Sequence, residues 1–249
     1  MKLTLTEPKL LKDPIAIISE LVNEVTIKLD PDKIDIIAMD PANVAMIIFK
    51  LLSSSFVEYT VEQPTNMSLS LDNLNQILKR AKPSDTLILE LDEENNKLKI
   101  QLKGSTTRTF HISLIDLEDS EREVPDLEFP IKVEIPTSVF DEAVEDMSVI
   151  SEAILLTAEP SKFIIQAESA TNSAKVEIDK DSDTNITMTK EDKLTAKYSV
   201  EYLKKIIKGS KLTDTLTLQF NQDYPLKTEY KLLDKLSFTV ILAPRVSTD

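Results

Sequence analysis

Apolar residues fall at every second position through much of the chain. "KLTLT", "VTIKL", "KIDIIAM", "VAMIIFKL", "MSLSL", "TLILEL", "KLKIQL" and "TRTFHISL" read as half-buried strands in the first half. Two helical stretches interrupt them. "PKLLKDPIAIISELV" follows the first strand, with Pro14 early enough for its opening turn or for a kink. A second helix begins near Asp72; Leu74, Ile77, Leu78 and Ala81 form one face, while Lys79 and Arg80 point away and Lys82 flanks them. The second half keeps this order. Strand "IKVEI" precedes helix "SVFDEAVEDMSVI", then come "AILLTA", "KFIIQA", "AKVEI" and "KLTAKYS". A helix from Val200 leads into "TLTLQF", "LKTEYKL" and "SFTVIL".

The two halves are copies. "ILKRAKPSDTLILEL" (Ile77–Leu91) and "IIKGSKLTDTLTLQF" (Ile206–Phe220) lie 129 positions apart, and the same shift sets Pro31, Lys33 and Ala38 on Pro160, Lys162 and Ala167. One shift that works at both ends of so long a span implies a duplicated domain. Short alternating strands with two helices per copy predict an α+β fold of two tandem antiparallel-sheet domains. A parallel nucleotide-binding fold would need a helix between nearly all its strands. Between the copies, "DLEDSEREVPDLEF" holds seven acidic residues, one basic residue and a proline, without a sustained period. The expected division is a first domain at 1–115, a connector at 116–130 and a second domain at 131–249.

Composition then excludes whole classes. Forty-one per cent apolar and 29% charged residues suit a folded globular chain. No apolar stretch is long enough to span a membrane, and "MKLTLTEPKLLKD" lacks a signal-peptide core, so an intracellular protein is expected. The absence of cysteine rules out disulfides, a thiolate nucleophile and a thiolate zinc site. Two glycines, Gly104 and Gly209, cannot write a phosphate-binding loop or a dinucleotide fingerprint. His111 is single and sits in an alternating strand beside Phe110, which suits a structural role. "DKDSDT", from Asp179 to Thr184, begins with calcium-loop spacing, but Thr184 stands at the turn glycine and Lys190 at the closing glutamate. Carboxylate pairs such as Asp141/Glu142 and Glu93/Glu94 have no feature that separates them from ordinary surface charge. No metal or cofactor is expected.

A formal charge of −14 argues against a nucleic-acid partner until the cations are located. Projected at 100° per residue, Lys204, Lys208 and Lys211 share one side of the second basic helix, with Lys205 beside them. Tyr202, Leu203, Ile206 and Ile207 take the other side. One such helix is an ordinary solvated face. Two at equivalent positions in an acidic chain are what contact with a DNA backbone requires.

Longer strings then carry a family resemblance. "AMDPANVAMI" (Ala38–Ile47), "NMSLSLDNLNQILKRA" (Asn66–Ala81), "LIDLEDSEREVP" (Leu114–Pro125), "YPLKTEY" (Tyr224–Tyr230) and "ILAPRV" (Ile241–Val246) occur in this order along the chain. Together they resemble the proliferating cell nuclear antigen family, the sliding clamps of archaeal and eukaryotic DNA replication, with the archaeal branch nearest. The resemblance implies a non-enzymatic ring of three subunits, with helices lining a channel around duplex DNA. Polymerase, clamp loader, flap endonuclease and DNA ligase would dock through a clamp-binding peptide. It implies channel cations at Lys12, Lys79 and Lys208; Lys9, Arg80, Lys82, Lys204, Lys205 and Lys211 join them by helical position. It implies a partner groove at Met39, Val44, Met46, Val124, Pro125, Pro225, Ile241, Ala243 and Pro244. Subunits would meet through the edge strand Thr107, Arg108, Thr109, Phe110, His111 and Ile112 and its mate Ser173, Ala174, Lys175, Val176, Glu177 and Ile178. Such a protein would work in the cytoplasm or nucleoid, or in the nucleus of a eukaryote.

The chain departs from that family pattern at two places. Its third helix bears Asp141, Glu142, Glu145 and Asp146 without a lysine or arginine, where the family has channel cations, and Arg122 stands where the connector is usually apolar. Some archaea build the ring from different paralogues, and a mixed ring would dilute these carboxylates. A clamp-like adaptor for repair or checkpoint work is the second reading. A carboxylate- or metal-dependent enzyme is a distant third.

Overall fold

Alternation becomes antiparallel pairing in both halves. The computed structural model describes residues 1–117, 122–189 and 192–245. Residues 118–121, part of the predicted connector, and Lys190 of the calcium-like string lie outside the described residues. The described residues of Met1–Pro41, Ile47–Glu123 and Leu232–Phe238 form one compact unit; those of Ala42–Met46, Val124–Lys231 and Thr239–Asp249 form a second.

In the first half the elements are β1 (Lys2–Leu5), α1 (Lys9–Ile18), β2 (Glu24–Asp30), β3 (Lys33–Met39), β4 (Ala45–Leu52) and β5 (Glu58–Thr60). They continue with β6 (Thr65–Ser70), α2 (Leu71–Leu78), β7 (Thr86–Asp92), β8 (Lys97–Lys103) and β9 (Thr107–Ser113). Strands run side by side as β5-β1-β7-β8-β9 and as β4-β3-β2-β6. The second half repeats this element for element: β10 (Ile131–Pro136), α3 (Thr137–Ser148), β11 (Ala153–Glu159), β12 (Lys162–Glu168), β13 (Ser173–Asp179) and β14 (Asn185–Met188). Then follow β15 (Leu194–Ser199), α4 (Val200–Ile206), β16 (Thr215–Phe220), β17 (Leu226–Leu232) and β18 (Leu236–Leu242). Their order is β14-β10-β16-β17-β18 and β13-β12-β11-β15. The fold is two tandem α+β domains.

Register carries the duplication into three dimensions. Ile27 opposite Ile36 becomes Leu156 opposite Ile165, and Glu24 opposite Ser70 becomes Ala153 opposite Ser199, each at the 129 offset. The match drifts by one residue at the flanks: Leu3 faces Leu89, whereas Val133 faces Leu218. Strands β5 and β14, three and four residues long, are absent from the strands that the alternation predicts.

Hairpins close with almost no glycine. Asn43, Asn96, Asp223 and Asp234 take positive φ, a region that Asn and Asp enter because their short polar side chains bond locally. Each helix buries one face. Leu10, Leu11, Pro14, Ile15, Ile17 and Ile18 go inward from α1, and Phe140, Ala143, Val144 and Met147 from α3. A fully buried side chain of this size contributes about 1.5–3 kcal/mol. In its own unit α1 packs beside α2, and α3 beside α4.

Helices α1, α2 and α4 are shorter than their apolar patterns. After Ile18 the chain turns through Glu20 N–H to Ile17 O and Leu21 N–H to Ile18 O; Leu21 and Val22 continue the apolar period because the turn is buried. Helix α2 ends at Leu78 with Lys79 as its cap, and α4 ends at Ile206. Ile207–Lys211 then tightens to a 3-10 helix, so the 100° projection fails for Lys208 and Lys211; three apart at three residues per turn, they eclipse. Ile77 and Tyr202, assigned to buried faces by that projection, are half-buried.

The tight turn presses Gly209 against Tyr230. A Cβ on Gly209 would lie well inside contact distance of the fully buried Tyr230 ring. Gly209→Ala should therefore cost about 1–3 kcal/mol by overpacking, seen as a lower urea midpoint at unchanged m-value. An unchanged midpoint would mean that the turn can back away from the ring.

Candidate functional site

Seven of the nine predicted cations lie in or beyond the last turns of α2 and α4, whereas Lys9 and Lys12 sit in the opening turns of α1. In the first unit Lys9, Lys79, Arg80 and Lys82 are exposed, and Lys79, Arg80 and Lys82 form no ion pair among the described residues. Lys12 is half-buried; its Nζ donates to Ala81 O at 3.1 Å, so α1 is pinned to the end of α2, where a cation meets the negative end of the helix dipole. Lys9, Lys12 and Lys82 rim a recess of about 450 Å³ with Glu7, Pro8, Asp13, Ala81 and Pro83. Glu7 is held by Lys235 at 2.9 Å, which keeps its carboxyl below the usual range.

A buried ion pair sets the shape of that exit. Asp85 is 4% exposed; its Oδ2 accepts from Lys82 N–H at 2.9 Å and meets the guanidinium of Arg108. Arg108 also donates to Arg80 O at 3.0 Å. A Cβ on Gly104 would collide with Asp85 Oδ1, so the close backbone approach needs glycine. Arg108, expected at the subunit edge, thus turns inward and clamps the turn that carries Arg80 and Lys82.

The second unit is wired differently. Lys204 and Lys211 are exposed, while Lys205 and Lys208 are half-buried. Lys204 pairs with Glu145 of α3 at 3.2 Å. Lys205 pairs with Glu201 at 3.1 Å and lies 5.4 Å from the Tyr202 ring centroid. Asp141 is not surface charge. It is half-buried, one carboxylate oxygen lacks a hydrogen-bond partner, and its pKa is pushed up by burial and by Glu145, against a hydrogen bond with Ser210. Glu142 and Asp146 remain exposed. Sequence reading found the acidic helix but not these pairings, which join residues far apart in the chain.

The predicted partner residues divide by exposure. Val124 is 45% exposed and Pro125 is exposed; Met39, Val44, Pro225, Ala243 and Pro244 are half-buried. Met46 and Ile241 are each 7% exposed and belong to the core of their strands. Ala243 N–H donates to Val44 O at 2.8 Å, which fixes the C-terminal segment against the early loop. A larger cavity, about 660 Å³, lies where Ser148–Glu152 approaches Ser199, Val200, Glu201 and Arg245.

Both predicted interface strands end their sheets: β9 pairs with β8, and β13 with β12. The ladder phase follows from bonds just outside them. Gly104 N–H to Thr106 O and Leu114 N–H to Asn96 O put the even-numbered backbone groups of β9 toward β8. Lys180 N–H to Ser161 O does the same for β13 toward β12. Thr107, Thr109, His111 and Ser113 therefore aim their N–H and C=O outward, as do Ser173, Lys175, Glu177 and Asp179. All eight residues are exposed. Phe110, Ala174, Val176 and Ile178 are half-buried and Ile112 is buried. Hydrogen bonds from Lys175 and Lys162 hold the Glu177 carboxyl down to about 2.

Among the described residues, no group of three or more His, Asp or Glu side chains is placed to hold a metal ion.

Comparison with known proteins agrees with the two-domain fold. Residues 1–122 match the N-terminal domain of proliferating cell nuclear antigen and residues 123–245 match its C-terminal domain. The DNA polymerase sliding clamp of Nanoarchaeum equitans is 35% identical over 247 residues, 98% of this chain and 99% of that protein. The sliding clamp of Pyrococcus furiosus is 36% identical over 228 residues, 92% of this chain and 91% of its own. A crystal structure of PCNA from Thermococcus kodakaraensis superposes with a TM-score of 0.92 at 25% identity, covering 98% of this chain and 99% of the other. With both domain models matched in order and relatives aligned end to end, the chain belongs to the proliferating cell nuclear antigen family.

Proposed function

We propose that this chain is a non-catalytic sliding-clamp subunit: three subunits close a ring around duplex DNA, and the ring tethers DNA polymerase as a processivity factor. The observation that carries the reading is repetition. Each unit presents a packed helix pair whose exits bear lysines, and a polymer of repeating phosphates calls for a repeated cationic lining. The named function of the sliding-clamp relatives supports it. Such a protein acts inside the cell, and its other partners are a clamp loader, flap endonuclease and DNA ligase. The test is topological. Loaded rings should stay on closed circular duplex and run off once the circle is cut; equal retention on both forms would refute encirclement.

The ring is mixed. Glu142 and Asp146 keep α3 acidic at its surface, and three such helices in one channel would oppose phosphate. In native mass spectrometry the chain alone should be mainly monomeric at micromolar concentration, and firm rings should need more basic paralogues. A stable homotrimer that stimulates polymerase unaided would overturn this part.

Partner enzymes bind by an extended peptide whose apolar anchor rests near the connector and the C-terminal segment. Val124 is the clean probe there, because it is exposed and contributes little to the core. Val124→Ser should weaken a clamp-binding peptide by about 1–2 kcal/mol, roughly tenfold, in calorimetric titration, with thermal melting unchanged. Ile241→Ser is a poorer probe, since a buried strand residue loses stability as well. Undiminished affinity in Val124→Ser would move the anchor elsewhere.

A further inference from the structure

We propose that the DNA backbone is gripped chiefly by the helix pair of the first unit, while the second unit's helix pair masks its own lysines with its own carboxylates. This inference rests on the channel reading above and assigns the two copies unequal shares of it.

Formal charge separates the two helix pairs. Across α1 and α2 with its exit to Lys82, the first pair carries Lys9, Lys12, Lys79, Arg80 and Lys82 against Asp13 and Asp72, a net of three positive charges. Across α3, α4 and the turn to Lys211, the second pair carries Lys204, Lys205, Lys208 and Lys211. Against these stand Asp141, Glu142, Glu145, Asp146 and Glu201, a net of one negative charge. Position sharpens the contrast. Lys204 lies 3.2 Å from Glu145 and Lys205 lies 3.1 Å from Glu201. Pairs this exposed add little stability, but their charges sit far closer together than the screening length of about 10 Å at 0.1 M salt. To a phosphate beyond that contact each pair is a dipole rather than a cation.

The first unit has the reverse arrangement. Glu7 beside its recess is taken up mainly by Lys235 at 2.9 Å, and Lys9 reaches it only at 4.0 Å. Asp85 is buried against Arg108, leaving Lys79, Arg80 and Lys82 exposed on a turn that this pair holds in shape. The recess of about 450 Å³ at Lys9, Lys12 and Lys82 offers a concave seat to a phosphate.

The experiment is a salt series of fluorescence anisotropy with the chain assembled into its ring and a labelled duplex of mixed sequence. Each released phosphate contact contributes about 0.9 to the slope of log affinity against log salt. Lys79→Ala with Arg80→Ala and Lys82→Ala should lower that slope by about two to three. Lys204→Ala with Lys205→Ala and Lys208→Ala should lower it by less than one. Glu145→Gln should raise affinity severalfold by freeing Lys204, and this gain should vanish when Lys204→Ala is added. Equal slope losses from the two triple variants would overturn the unequal grip while leaving the channel reading intact. A Glu145→Gln gain that survives Lys204→Ala would overturn masking in the same way. If neither triple changes binding, the lysines do not meet DNA, and the channel reading falls together with this inference.

Discussion

Lys175→Pro is expected to remove the chain from its ring while leaving its own fold intact. Ladder phase decides the outcome. Subunits that meet edge to edge would continue the sheet by hydrogen bonds from the outward groups of β9 on one chain to those of β13 on the next. Lys175 points its N–H away from β12, so proline there removes a donor that no described residue uses. Its ring also stands where the neighbouring strand must come. Thr109→Pro applies the same test from β9. Val176→Pro is the contrast, because the Val176 N–H points into the sheet toward β12 and its loss should lower stability as well. Native mass spectrometry of the chain mixed with the subunits that complete its ring should give rings with wild type and only free Lys175→Pro chain. Circular dichroism melting should show Lys175→Pro close to wild type and Val176→Pro clearly lower. Rings that form as readily with Lys175→Pro would mean that the subunits meet on another surface.

The duplication was legible because it is written twice in one register. The 129 offset seen in "ILKRAKPSDTLILEL" and "IIKGSKLTDTLTLQF" reappears as Ile27 with Ile36 and Leu156 with Ile165 across matching strands. The edge strands were legible only through the family resemblance; which of their residues face outward depends on ladder phase, and alternation alone does not give it. The apolar pattern overruns the helix ends for a physical reason. Apolar period continues through Leu21 and Val22 and through Ile207 because those turns are buried, although the helices have already stopped. The pairings that tune the site were illegible. Glu145 with Lys204 and Asp85 with Arg108 each join groups from different elements, and only packing decides that they meet. The acidic helix therefore read as a bare repulsive surface, whereas Glu145 is paired and Asp141 is half-buried.

Asp85→Ala should lower stability by about 3 kcal/mol and loosen the turn that displays Arg80 and Lys82. Removing one partner of a buried ion pair costs about 3–5 kcal/mol because the other charge loses its compensation. The low end applies here: the Arg108 side chain keeps 28% exposure and water can reach it. Two further losses act in the same direction. Lys82 N–H loses its acceptor, and the space that Asp85 fills against Gly104 is left empty. Asp85→Asn should fall between Ala and wild type, since an amide oxygen can still accept from Lys82 N–H but carries no charge for the guanidinium. Urea unfolding followed by circular dichroism would show the midpoint fall at unchanged m-value. Amide exchange should also quicken at Lys82 ahead of global unfolding. An Asp85→Ala midpoint equal to wild type would mean that the Asp85–Arg108 pair adds nothing to stability. The shape of the cationic turn would then have to come from Lys12 and its bond to Ala81 O.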